Sequence, residues 1–175
     1  ATVTITQPAA LTRTTAQTNV LCNGACTGSA TITGGGGTAP YTYKWTTGAT
    51  TSTVSSLCAG TYTGTVRDAN NCFTTAAVTV TEPPALTRTT AQTNVSCNGL
   101  CNGAASITAG GGTAPYTYKW TTGVTTQTVS SLCAGTYTAT VRDANNCFTT
   151  AAVTITEPAA LTRTTTQTNV TCNGL

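Results

Sequence analysis

The residues able to do chemistry in this chain are few, and they recur. Cys22, Cys26, Cys58 and Cys72 return as Cys97, Cys101, Cys133 and Cys147 at one constant offset (97 − 22 = 75). The acids are Asp68, Asp143, Glu82 and Glu157, and there is no histidine. A cysteine nucleophile needs a base beside it, and no imidazole is available. A structural metal site needs clustered ligands. Cys22-Asn-Gly-Ala-Cys26 has a three-residue gap, and no second close pair follows it. Disulfides fit better, because an even cysteine count in a small unit reads as a cystine framework in an oxidising compartment. General acid–base work needs placed carboxylates or imidazoles. Asp68-Ala69-Asn70-Asn71 reads instead as a hairpin turn in which the aspartate bonds its own backbone. Calcium takes about six to eight oxygens, and this turn offers one carboxylate. Glu82 and Glu157 sit at joints, where a bond between units or plain exposure is expected. The sequence therefore predicts no catalytic residue, no cofactor and no metal, hence no enzyme.

These residues are positioned by β-structure. Thr38-Ala39-Pro40-Tyr41-Thr42-Tyr43-Lys44-Trp45-Thr46-Thr47-Gly48 returns unchanged at 113–123. Its alternation places Tyr41, Tyr43 and Trp45 on one face, the period of a half-buried strand. We expect it to be the central strand of a small β-domain. Tyr41, Tyr43, Trp45, Tyr62, Tyr116, Tyr118, Trp120 and Tyr137 are then core aromatics; exposed, they would form a sugar-stacking platform instead. Strands are also expected at Gly28–Thr33, Thr50–Val54, Thr61–Arg67 and from Cys72 onward. No helical period persists. Gly34–Gly37 reads as a tight connection, since neither a helix nor Gly-Lys-Ser/Thr follows to make it a phosphate loop. Six or seven short strands in about 75 residues indicate an antiparallel sandwich.

The repeat sets the domain organisation. Trp120 also follows Trp45 by 75, no insertion interrupts the register, and about 13 of the 75 aligned positions differ. We read 1–8 as the last strand of a preceding repeat, 9–83 and 84–158 as complete repeats, and 159–175 as the first strand of a third. The chain is thus read as a window of a longer array, with stiff proline joints at Glu82-Pro83-Pro84 and Glu157-Pro158. Threonine exceeds a quarter of the 175 residues, charged residues make up 6%, and the net charge is +3. That balance leaves no basic footprint for nucleic acid, and no apolar run is long enough for a membrane span. A unit this small is near the limit for an unaided core. Each disulfide adds about 2–4 kcal/mol.

An ordered set of motifs now stands together: Cys-Asn-Gly, Gly-Ser-Ala-Thr-Ile-Thr-Gly-Gly, Ala-Pro-Tyr-Thr-Tyr-Lys-Trp, Leu-Cys-Ala-Gly-Thr-Tyr, Val-Arg-Asp-Ala-Asn-Asn-Cys and Val-Thr-Val-Thr-Glu-Pro. It resembles the SprB-type repeat of very large surface adhesins in gliding and environmental Bacteroidota. Trp-x-x-Gly and Gly-Thr-Tyr-Thr also resemble PKD-type immunoglobulin-like domains. Asn71 departs from the pattern, which usually has glycine there. The resemblance implies an all-β chain of tandem antiparallel immunoglobulin-like β-sandwich repeats. It also implies secretion to the cell surface, tandem display, and a role in adhesion or filament building. In an immunoglobulin-like path the loops of Cys26 and Cys58 share one end of the sandwich. Cys26–Cys58 and Cys101–Cys133 are therefore expected, leaving Cys22–Cys72 and Cys97–Cys147. Cross-joint bonds Cys72–Cys97 and Cys147–Cys172 stay open as the alternative. The expected partners are neighbouring repeats and identical chains in a filament. The competing reading is a carbohydrate-binding adhesin module with a polysaccharide ligand.

Overall fold

The computed structural model describes residues 2–169. Among them the chain forms β1 (Thr12–Thr18), β2 (Gly28–Gly35), β3 (Thr42–Trp45), β4 (Thr53–Leu57), β5 (Gly60–Arg67) and β6 (Phe73–Val80). The same six return as β7 (Thr87–Thr93), β8 (Gly103–Gly110), β9 (Thr117–Trp120), β10 (Thr128–Leu132), β11 (Gly135–Arg142) and β12 (Phe148–Ile155). No helix among the described residues is long and apolar enough to cross a membrane.

The first six strands make two antiparallel three-stranded sheets, ordered β1-β2-β4 and β3-β5-β6. This is the immunoglobulin arrangement of strands A, B and E facing C, F and G, without the short fourth strand of the first sheet. β1 packs against β6, and β2 against β5 and β6. Alternation does the sorting. Ala30 and Ile32 of β2, Val66 of β5, Val78 and Val80 of β6 and Trp45 of β3 turn inward, joined by Val20 and Leu57. Each such aliphatic contributes about 1.5–3 kcal/mol when fully buried, so the core depends on few side chains. The outer faces carry threonine. Thr31 and Thr53 are register partners with hydroxyls 2.9 Å apart, as are Thr61 and Thr79 at 3.1 Å. β1 is exposed throughout. Beyond its end the chain turns to the opposite sheet, where Val20 N donates to Thr81 O and Thr81 N donates to Asn19 Oδ1.

Two expectations are corrected. The aromatic strand β3 lies at a sheet edge, and β5 is central. β3 is four residues long and ends in a tight turn, with Gly48 N donating to Trp45 O. The eight residues of β5 instead pair on both sides. Residues 2–8, expected as a strand, are not one, and neither are 159–169. A strand needs a ladder beside it, and among the described residues no strand pairs with these segments.

By packing, the chain divides into two compact units, which do not follow the repeat boundaries 9–83 and 84–158. The first runs to Thr87 and includes Ala109–Tyr116 and Arg142–Thr149. The second holds Arg88–Thr108, Thr117–Val141 and the described residues from Thr150 on.

Candidate functional site: the cystines and the turns that hold them

The hairpin between β5 and β6 is built on Asp68, which is only 5% exposed. Its Oδ1 accepts from Asn70 N and Cys72 N, both at 2.9 Å, and its Oδ2 accepts from Thr38 N at 3.1 Å. Three amides converge on one carboxylate, which thereby ties two loops together. Charge-assisted bonds of this kind are the stronger ones. Asn71 completes the turn at φ 66°, a left-handed conformation that asparagine tolerates. Asn70 Nδ2 donates to Thr38 Oγ1 at 2.9 Å. Asp143, 4% exposed, repeats the pattern with Asn145 N, Cys147 N and Thr113 N. The glycine loop lies on this hub. Gly37 N donates to Ala9 O, and a side chain at Gly36 would run into Ala10 O. The amide of Gly37 is thus spent on the preceding backbone.

The Cys-Asn-Gly turn is clamped by the glutamate that ends the same repeat. Gly24 N donates to Glu82 Oε2 at 2.7 Å, and Asn23 Nδ2 donates to Glu82 Oε1 and Pro83 O, both at 3.0 Å. The bond expected between units is therefore one within residues 9–83. It forms there because residues 19–20 pair with Thr81 and bring the turn beside the joint. Gly99 N to Glu157 Oε2 at 2.7 Å and Asn98 Nδ2 to Pro158 O at 3.2 Å repeat the clamp.

Cys26 is bonded to Cys58 and Cys101 to Cys133, each across a sequence separation of 32. Beside each, a tyrosine ties the corner into β5 or β11. Tyr62 OH donates to Cys58 O at 3.0 Å, and Tyr137 OH to Cys133 O at 3.1 Å. This is the tyrosine corner of immunoglobulin sandwiches. Tyr41 OH donates to Gly36 O and Tyr116 OH to Gly111 O. The six tyrosines, Tyr43 and Tyr118 included, are half-buried. The two tryptophans are sealed: Trp45 is 2% exposed and Trp120 1%, and their Nε1 atoms donate to Thr51 O and Thr126 O.

The remaining cysteines differ from both pairings read in the sequence. Cys22 is bonded to Cys147, with Cα atoms 5.6 Å apart. Both lie in the first compact unit, although Cys147 belongs to the second repeat in sequence. Asn145 Nδ2 reinforces the bond by donating to Leu21 O at 3.0 Å. Cys72 and Cys97 are exposed thiols. Hence Cys22–Cys72, Cys97–Cys147 and Cys72–Cys97 are not formed. Segment 142–149 carries Cys147 into the first unit, where Cys22 meets it in place of Cys72. Cys172 lies outside the described residues, and Cys147 is already occupied.

Fold and bracing together define a tandem immunoglobulin-like β-sandwich protein stiffened by cystines. The model of the SprB repeat family matches residues 14–50 and 89–125. The two matched stretches lie one repeat apart (89 − 14 = 75). A search of curated proteins finds no match. Among solved structures, the chain is similar to the three N-terminal domains of the bacteriophage RB49 Highly Immunogenic Outer Capsid protein. Identity is 19%, the TM-score is 0.49, and 83% of this chain and 59% of that one are covered. It is also similar to the N-terminal eight immunoglobulin domains of Down Syndrome Cell Adhesion Molecule, at 14% identity and TM-score 0.44, covering 87% of this chain and 25% of that one. Similarity to the S-layer protein SbsC is weaker, at 16% identity and TM-score 0.31, covering 88% of this chain and 29% of that one. The chain thus spans less than two thirds of the length of each.

Proposed function

We propose that this chain is a non-enzymatic, structural segment of an extracellular fibre or surface stalk. The observation that carries the reading is the recurrence, once per repeat, of one set of braces: the cystine of sequence separation 32, the buried aspartate hub and the glutamate clamp. The groups best suited to chemistry are largely engaged in holding turns. Cystines resist reduction outside the cell, and SprB repeats are expected there. Domain boundaries at 9–83 and 84–158 remain our proposal for the sequence repeat, with neighbouring repeats and identical chains as partners. Force spectroscopy tests the reading. The oxidised chain should extend less before detachment than the reduced chain, because each cystine withholds its loop. Identical extension in both states would end it.

A carbohydrate-binding adhesin is the second reading. The buried tryptophans deny it the platform expected from Tyr41, Tyr43 and Trp45. Phe73 and Phe148 favour it, since they are 65% and 64% exposed with an arginine guanidinium 5.8 and 5.5 Å from the ring centre. Binding to a polysaccharide array that disappears in Phe73→Ala/Phe148→Ala would establish it over the purely mechanical one.

A further inference from the structure

The two exposed thiols are related to the cystine Cys22–Cys147 by the repeat itself. Cys97 is the equivalent of Cys22 one repeat later (97 − 22 = 75), and Cys72 is the equivalent of Cys147 one repeat earlier (147 − 72 = 75). Each is therefore the counterpart of one half of that bond. We propose that they are the open halves of the same cystine, completed by a further copy of the repeat. Cys97 takes the hairpin cysteine of one neighbouring copy, and Cys72 takes the Cys-Asn-Gly cysteine of another. A second molecule of this sequence, set head to tail, offers both missing halves. The inference deepens the fibre reading, on which it rests, by naming the partner and the bond.

Both halves already have the local geometry of their bonded counterparts. At the first, Leu100 N donates to Cys97 O at 3.2 Å, as Ala25 N does to Cys22 O at 3.0 Å. Glu157 holds Gly99 N at 2.7 Å, as Glu82 holds Gly24 N at 2.7 Å. At the second, Cys72 N donates to Asp68 Oδ1 at 2.9 Å, as Cys147 N does to Asp143 Oδ1 at 2.9 Å. Asn70 Nδ2 donates to Thr38 Oγ1 at 2.9 Å, as Asn145 Nδ2 does to Thr113 Oγ1 at 3.0 Å. Asn145 uses the same amide to reach the backbone carbonyl of Leu21. Asn70 can offer its amide to the carbonyl of Ser96 in another copy, since a carbonyl is indifferent to the change from Leu21 to Ser96. Neither half must refold to accept a partner, so little ordering entropy opposes the contact.

The bond forms by exchange with a small-molecule disulfide. The Cys97 thiolate attacks it, forming a mixed disulfide and releasing one small thiol. The Cys72 thiolate of the second chain then attacks the Cys97 sulfur and expels the other small thiol. Two protein thiols are oxidised, and one small disulfide is reduced to two thiols.

The test uses the full chain carrying Cys172→Ser, because Cys172 is the next equivalent of Cys97 in the repeat (172 − 97 = 75) and would compete. Equal amounts of unlabelled and nitrogen-15-labelled protein are incubated with oxidised glutathione, separated without reductant and mapped by mass spectrometry. We expect a ladder of oligomers containing Cys72 peptides joined to Cys97 peptides of the other label. The ladder should collapse on reduction and be lost in both Cys72→Ser and Cys97→Ser, with Cys22–Cys147 intact throughout. Three results would overturn the proposal: Cys72–Cys97 bonds only between peptides of one label, same-site pairs forming as readily as mixed ones, or both thiols staying glutathionylated. Each would leave the fibre reading standing on its force test.

Discussion

Replacing Cys26 and Cys58 together by alanine in the full chain isolates what one internal cystine contributes. Removing both avoids a stray thiol that could attack Cys22–Cys147. The bond closes a sequence separation of 32. Chain-entropy arithmetic for a loop of that size gives about 12 cal/mol/K, or about 4 kcal/mol at 25 °C. Both sulfurs belong to exposed residues, so lost packing adds little. A sandwich of this length has a total stability of about 4–11 kcal/mol, and the variant repeat should retain only a fraction of it. About 4–8 °C per kcal/mol for a domain of this size translates into a fall of about 15–30 °C in Tm. Differential scanning calorimetry under oxidising conditions should resolve an early transition from the altered repeat and a later one from the intact repeat. Cys101→Ala/Cys133→Ala should transfer the early transition to the other repeat. A Tm within about 5 °C of the parent in both variants would refute the reasoning, because the core would then suffice unaided.

The other braces make their own predictions. Trp45→Ala removes the largest buried ring of its repeat and leaves Thr51 O without its donor; urea denaturation should show a loss of about 3–5 kcal/mol. Trp45→Phe should lose less, with the orphaned carbonyl as its main cost. Asp68→Ala leaves the amides of Thr38, Asn70 and Cys72 without their shared acceptor. It should cost about 3 kcal/mol and speed hydrogen exchange at those three amides while leaving Ile32 protected. Unchanged exchange at Thr38 would show that the carboxylate does not hold the loop.

Much of the fold was legible because the period of two is local. Ala30, Ile32, Val66, Val78 and Val80 face inward for the reason the alternation gives, and turn residues such as Asn71 mark where strands reverse. The sealed indoles follow from a thin core that takes in the largest ring of each repeat. Asp68 was legible as a turn former but not as a hub, because its third bond goes to Thr38, at a sequence separation of 30. The central strand was misplaced for a similar reason: aromatic content reports burial, whereas position in a sheet depends on how many ladders a strand can support. β3, with four residues before its turn, supports one.

The sequence by itself determined that the chain is a β-repeat of constant period, braced by cysteines and poor in charged residues. Composition, alternation and spacing are properties of the chain alone. Only the tertiary structure decided that Cys22 bonds Cys147 and not Cys72, and that Glu82 clamps its own repeat. The physical reason is the repetition itself. Positions 72 and 147 sit in identical local sequence, Arg-Asp-Ala-Asn-Asn-Cys-Phe, so no residue pattern distinguishes them. Which of two chemically identical thiols forms the bond is settled by which one the folded backbone carries to within reach.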